Sequence, residues 1–390
     1  MRANHWIAAA TCAGLLMACG GGGGSTAADA GTGSLRVALT DAPSCGFDAL
    51  NVTITKIRVH QSATAADADG GWSEVVLSPA KRVDLLSLQN GVLSELGQTP
   101  LPAGRYQQVR LVLADNDSST PLANSLVPTG AAERALDTPS AQQSGLKMNV
   151  DLEVQANKLL DLVLDFDACK SIVRAGNSGH YNLKPVVRVI PRFVSGVSGV
   201  LAAGWPVGTN VSLQQSGAVV KATSPAAGGA FMLQPVAPGS YDLVVAAAGS
   251  TTVVVTGVVV ASDTVTAVST GTTALSATPS ATGTASGKVT TGATPIVADT
   301  RALQALAGGH TIEVAGGPVD GTTGNYSHVL PVAAPLVAPY VSAPAPLVFA
   351  ADATAAGKYS VEAVFGAATK VVGPFSLTAG GTATNDIGFP

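Results

Sequence analysis

Leu35-Arg36-Val37-Ala38-Leu39-Thr40 alternates apolar and polar side chains, as do Val52-Thr53-Ile54-Thr55 and Val109-Arg110-Leu111-Val112-Leu113. A period of two with β-branched residues marks a strand with one buried face. Further strands are expected at 72–77, 146–154, 159–166 and 181–190, with helical signals confined to 84–96 and 168–173. The chain is therefore read as all-β. Its first domain, residues 34–195, is expected to be an antiparallel β-sandwich or partly open barrel. The 390 residues are 46% apolar and 12% charged, a globular composition, and 44 glycines with 23 prolines supply many turns. At about 150 residues per domain, this length allows two or three domains. A net charge of -4 with 4% aromatic residues excludes the basic, aromatic-interleaved surface that nucleic-acid binding needs.

Charge density divides the chain. Residues 34–195 carry 15 Lys and Arg and 16 Asp and Glu, whereas residues 196–390 carry 5 and 8. Two kinds of domain are fused, with the break near Ser195-Gly196. The second part repeats itself: Ser198-Gly199-Val200 and Ser286-Gly287-Lys288-Val289 each open a copy, and each copy later holds a Gly-x-Tyr element. These elements are Pro238-Gly239-Ser240-Tyr241 and Ala356-Gly357-Lys358-Tyr359, and Ala103-Gly104-Arg105-Tyr106 is a third instance in the first domain. A tyrosine entering a strand in this way buries its ring while its hydroxyl caps the loop, as in a tyrosine corner. Two small immunoglobulin-like or transthyretin-like sandwiches are expected, at 196–265 and 285–390. The Thr, Ser, Ala and Gly-rich stretch 266–284 is read as their linker.

Arg2, an apolar run over 7–17 and Leu16-Met17-Ala18-Cys19 form an export signal too short to span a bilayer of about 30 Å. The last four residues resemble a bacterial lipobox. That resemblance implies cleavage after residue 18 and lipidation of Cys19, while the alternative is an ordinary signal peptide with an incidental cysteine. Residues 19–33 are a Gly-rich tether, and Gly20 in place of Asp after the cysteine points to the outer membrane. Cys45 and Cys169 remain in an exported chain and read as a disulfide, with a metal pair or a reactive thiol as alternatives.

Leu39-Thr40-Asp41-Ala42-Pro43, Phe47-Asp48, Gly104-Arg105-Tyr106 before Arg110-Leu111, Asp165-Phe166-Asp167 and Ser171-Ile172-Val173 before Leu183-Lys184-Pro185 fall in order. In this the chain resembles bacterial lipoproteins carrying domain of unknown function 4382, over about residues 33–192. That family brings no established activity. Residues 197–270 resemble a carboxypeptidase-regulatory-like domain of transthyretin-like topology, through the turn at Gly228 to Phe231 and Pro238-Gly239-Ser240-Tyr241. The second copy departs from it by a Pro and Ala-rich insertion over 331–346. Such domains imply structural or interaction modules, not catalysis.

Asp41, Asp48, Asp115, Asp117, Asp165 and Asp167 lie at expected strand ends and turns and are the candidate calcium ligands, since calcium takes six to eight oxygens. The competing reading makes them turn caps and solvated strand-end carboxylates. No HExxH pairs the four mature histidines. Gly176-Asn177-Ser178-Gly179-His180 lacks the last glycine of a nucleophile elbow and reads as a turn. Any choice of paired carboxylates for glycoside hydrolysis would be arbitrary. Trp72 and Trp205 are candidate glycan platforms, with core packing as the alternative, and the apolar stretch 251–260 could pair edge to edge with a partner but reads better as a buried strand. The leading expectation is a non-catalytic, outer-membrane-anchored structural or interaction module, reaching the membrane through its lipid and an unknown envelope protein or glycan through its first domain. The two repeats would be its stalk. No cofactor beyond calcium is expected, and a calcium- or glycan-binding module is the alternative, with an extracytoplasmic hydrolase third.

Overall fold

The computed structural model describes residues 31–41, 46–138, 144–176, 178–192, 195–342 and 345–390. Thr32–Asp41 is the first strand, so the tether ends two residues earlier than expected. Its alternation holds through Val37 and then gives way to continuous burial. The reason is position: the strand lies inside its sheet, between Leu159–Phe166 and Ser94–Pro102, and Thr40 donates from its hydroxyl to the Leu88 and Val92 carbonyls above it. A second sheet of Arg134–Ala135, Ser125–Pro128, Phe47–His60, Gly104–Leu113 and Leu146–Val154 packs against it, with Ser73–Asp84 also paired to Phe47–His60. Leu35, Val37 and Leu39 from one sheet meet Leu50, Ile54, Ile57 and Leu111 from the other in one core.

The pairing is mostly antiparallel, as expected, with one parallel pair, Thr32–Asp41 on Leu159–Phe166. The same device recurs in each module: Gly196–Val200 pairs parallel with Val265–Ala267, and Thr282–Thr290 with Thr382–Thr384. An opening strand held by a late one closes each module on itself. The helical signal over 84–96 yields only a 3-10 turn at Leu85–Leu88, capped by Asp84, because Ser94 already starts the next strand.

The second module packs Ala230–Leu233, Gly196–Val200 and Val265–Ala267 against a sheet of Ala218–Thr223, Asn210–Gln215, Gly239–Ala246 and Val253–Val260. The stretch 266–284 is not a free linker. Leu275 is buried in this core, bridges Leu201 and accepts from the Trp205 indole, and Pro279 bridges Ser250. Its Thr and Ser hydroxyls bond within the run, as among Thr270, Thr272 and Thr273, and back to the module, as Ser269 with the Val200 backbone, which is how so polar a run packs. The third module pairs Asn325–Pro331, Thr282–Thr290 and Thr382–Thr384 over Thr311–Pro318, Ala298–Ala305, Lys358–Phe365 and Ala368–Ser376.

The Gly-x-Tyr elements behave as tyrosine corners in the first two modules. Tyr106 donates to the Pro102 carbonyl at 3.1 Å and Tyr241 to Ala237 at 3.0 Å, four residues back in each case. Tyr359 instead donates to Pro331 at 2.7 Å, at the start of the Pro and Ala-rich insertion. That insertion leaves its own module. Leu336–Pro339 adds as a parallel strand to Val253–Val260 of the second module, and Ala350–Ala351 pairs with it in turn. Val253–Val260 is thus the largely buried strand expected of 251–260, and its outer edge is covered by the chain's own third module.

Candidate functional site

The three modules meet at a junction dense in charge. Leu159–Phe166 delivers Asp165, which faces outward because Leu162, Leu164 and Phe166 turn into the core. Lys221 of Ala218–Thr223 ion-pairs with it, and the two side chains are 2% and 7% exposed. Arg188 stands opposite Asp165 in the strand register and donates to the Val219 and Val220 carbonyls at the edge of that same second-module strand. Asn90, at φ 58°, reaches across the first turn of the same interface: its backbone N–H donates to Thr223, its side chain donates to the Ser224 carbonyl at 3.0 Å, and it accepts from Met232 N–H.

A four-residue helix, Ala168–Ser171, carries the contact to the third module. Asp167 caps it by accepting from Lys170 N–H, and burial pushes the Asp167 carboxyl above the usual carboxylate range against the pull of the Lys170 and Arg188 charges. Lys170 Nζ lies 3.2 Å from Glu313 Oε1, Arg301 Nη1 lies 3.2 Å from Glu313 Oε2, and Arg301 pairs also with Glu362 and with the Gly217 carbonyl. Gln214 of the second module is buried, and its amide donates to the Glu313 carbonyl at 2.8 Å and accepts from Glu313 N–H at 2.7 Å. A side-chain amide here completes a backbone pair as a strand neighbour would. Lys184 with Asp299 at 2.9 Å and Asp320 accepting from Gly176 N–H complete the seam. What space remains is a cavity of about 50 Å³ lined by Asp167, Cys169, Lys170, Ser212 and Glu313.

The six candidate calcium ligands do not converge. Asp41 is buried and accepts from Ala168 N–H at 3.1 Å, Asp48 is exposed and accepts from Gly130 N–H at 3.3 Å, and Asp115 is exposed. Asp117 folds over its own turn, accepting from the backbone and hydroxyls of Ser119 and Thr120, which holds its carboxyl down to about 2. Asp165 and Asp167 belong to the junction, so they are not solvated strand-end carboxylates. Among the described residues no group of three or more His, Cys, Asp and Glu side chains is placed to hold a metal. Cys19, the expected lipidation site, and Cys45, one half of the expected disulfide, lie outside the described residues. Cys169 sits on the four-residue helix and is not a free thiol.

The other candidates resolve to structure. Ser178 donates to the Ala175 carbonyl, a turn contact rather than a nucleophile poised on a base. Trp72 lies between contacts, with the Arg58 and Arg110 guanidinium groups 4.4 and 4.6 Å from its ring centre and its indole donating to Ala66. Sequence reasoning missed Lys221, Arg188, Gln214, Arg301 and Glu313. One signal was available: Lys221 is the lone Lys or Arg between residues 196 and 287, set in the apolar run Val219-Val220-Lys221-Ala222. A charge there requires a partner.

Residues 32–185 match the family model described as Domain of unknown function (DUF4382), so the first module is that domain. No curated protein matches the chain. Among solved structures the chain is similar to the Bacillus anthracis TIE protein, at 12% identity and TM-score 0.17, covering 92% of this chain and 51% of that one. It is similar also to the major pilin subunit BcpA of Bacillus cereus, at 10% identity and TM-score 0.15, covering 92% and 99%. The pilus adhesin SpaC of Lactobacillus rhamnosus GG follows at 10% and 0.14, covering 92% and 44%. The chain spans about half the length of the first of these. At such TM-scores the likeness is too slight to bear on fold or activity. No helix among the described residues is long and apolar enough to cross a membrane.

Proposed function

We propose that the chain is a lipoprotein of the bacterial outer membrane, anchored through Cys19, whose three modules act as one non-catalytic structural or interaction unit of the cell envelope. The observation that carries the non-catalytic reading is where the polar side chains go. Asp165, Lys170, Lys221, Arg301, Glu313 and Glu362 are engaged with one another across or beside module boundaries. The stalk expectation is replaced: the repeats brace the first module instead of extending from it. The second and third modules are read as divergent copies of one transthyretin-like sandwich, on the strength of their shared Gly-x-Tyr element and closing parallel strand. Cys45 with Cys169 is the disulfide, in keeping with the oxidising compartment that export implies.

The anchor supports this reading through chemistry stated in the sequence alone, an apolar residue, Ala and Cys at the close of a short apolar run. Three acyl chains at about 0.8 kcal/mol per buried CH₂ hold a protein firmly. The test is Cys19→Ser with labelled palmitate and membrane fractionation. Loss of label and release from the membrane fraction is expected, and fractionation unchanged by the substitution would refute the anchor.

A further inference from the structure

The second module has a cleft between two of its loops. Two loops form it, 201–209 and 224–229, enclosing about 510 Å³. They are joined at the base where Leu201 N–H donates to Gly229 O at 2.8 Å, and Gly229, at φ +84°, sits so close that a Cβ would strike the Leu201 carbonyl. Above that base the walls are open. A Cβ at Gly204, Gly208 or Gly228 would meet nothing within 4 Å, so the backbone amides and carbonyls there are bare of side chains. Trp205 is half-buried in one wall, with its indole N–H already donating to Leu275, and Val207 on the rim is fully exposed. None of the fifteen lining residues is charged, in a chain where 12% are.

From these features we infer that this cleft binds a neutral saccharide, one sugar ring laid against Trp205 and its hydroxyls bonded to the glycine-rich backbone of the two loops. The chemistry selects the class. An aromatic ring whose polar edge is already spent offers apolar surface to the apolar face of a sugar. Exposed peptide groups supply the donors and acceptors that sugar hydroxyls need. A lining without charge gives no ion pair to an anionic glycan, phosphate or nucleotide, which would surrender hydration for nothing. This inference rests on the reading of the chain as an interaction unit, and its failure is separable, since the Cys19 experiment tests the anchor without reference to any ligand.

The test uses the soluble chain from residue 31 onward with neutral gluco-, manno- and galacto-oligosaccharides at millimolar concentration, and heparin as the anionic control, read by saturation-transfer NMR and calorimetry. At least one neutral oligosaccharide should bind, with Trp205→Ala weakening it about tenfold, the loss of one aromatic contact worth about 1.4 kcal/mol. Because Trp205 also packs on the core, Val207→Asp serves as a second variant that places a charge on the rim at a side chain with no packing role. It should weaken binding while leaving the melting curve unchanged. Absence of binding across the neutral set, equal binding of heparin, or binding untouched by both variants would each overturn the inference.

Discussion

Replacing Lys221 with Ala is the most informative single perturbation, because the Asp165 carboxylate would lose its ion-pair partner at a site 7% exposed. Breaking a buried pair by removing one partner costs about 3–5 kcal/mol, since the remaining charge has lost both water and counter-ion. Arg188 stands across from Asp165 but is already committed to the Val219 and Val220 carbonyls, so it is a poor substitute. If the three modules melt as one unit, an unfolding entropy of about 2.1 cal/mol/K per residue converts that cost into a drop of roughly 4–7 °C in Tm. The pair itself is a different matter, because well-packed apolar replacements of a buried ion pair are often neutral or better. Lys221→Met with Asp165→Leu should therefore recover most of the loss, and the double-mutant cycle should show strong coupling. The assay is urea unfolding followed by tryptophan fluorescence, with Trp72 reporting the first module and Trp205 the second. Coincident transitions for both are expected. A single variant within about 0.5 kcal/mol of the parent, the range of an ordinary surface substitution, would refute the claim that this pair clamps the modules.

Asp167 and His328 give opposite pH signatures. Burial raises the Asp167 carboxyl, so its stabilising contribution is complete at low pH and is lost as pH rises through the raised value; Asp167→Asn should stabilise at pH 7 and lose that advantage in acid, as followed by Tm against pH. His328 is buried against Thr300, and burial lowers it from 6.5 to about 4, so stability should fall by up to about 3 kcal/mol between those pH values and His328→Gln should flatten the fall. Calcium and chelator should give the same melting curve, because the candidate aspartates are dispersed; a rise of several degrees with calcium would restore a metal site. Thiol labelling of the unfolded, unreduced chain should leave Cys45 and Cys169 unmodified, and reduction should expose both.

The strands were legible because their alternation is local. Leu146–Val154 and Leu159–Phe166 fall where period two and their flanking turns place them. Tyr106 and Tyr241 were legible as corners for the same reason, since each hydroxyl reaches only four residues back. The junction was not legible, because nothing near Asp165 in sequence announces Lys221 and nothing near Glu313 announces Gln214. Such pairs are set by how folded surfaces meet, and an aspartate at a strand end looks alike whether it caps, binds metal or bridges modules. The 266–284 stretch misled for a related reason: its composition is that of a linker, while two apolar side chains, Val268 and Leu275, fasten it to the core.

The strand that the third module lends to the second carries a consequence for how the chain is made. Val253 pairs with Leu336, so the edge of the second module's sheet stays bare until a segment 83 residues further along has emerged. A bare edge of valines is a template for pairing with any neighbouring chain. During synthesis the second module is thus a half-finished sheet for as long as the third takes to arrive, and non-local closure of this kind is slow. The lent strand ties the safety of the second module to the completion of the third: a nascent chain interrupted before residue 336 would carry an exposed edge, open to mispairing and to proteolysis.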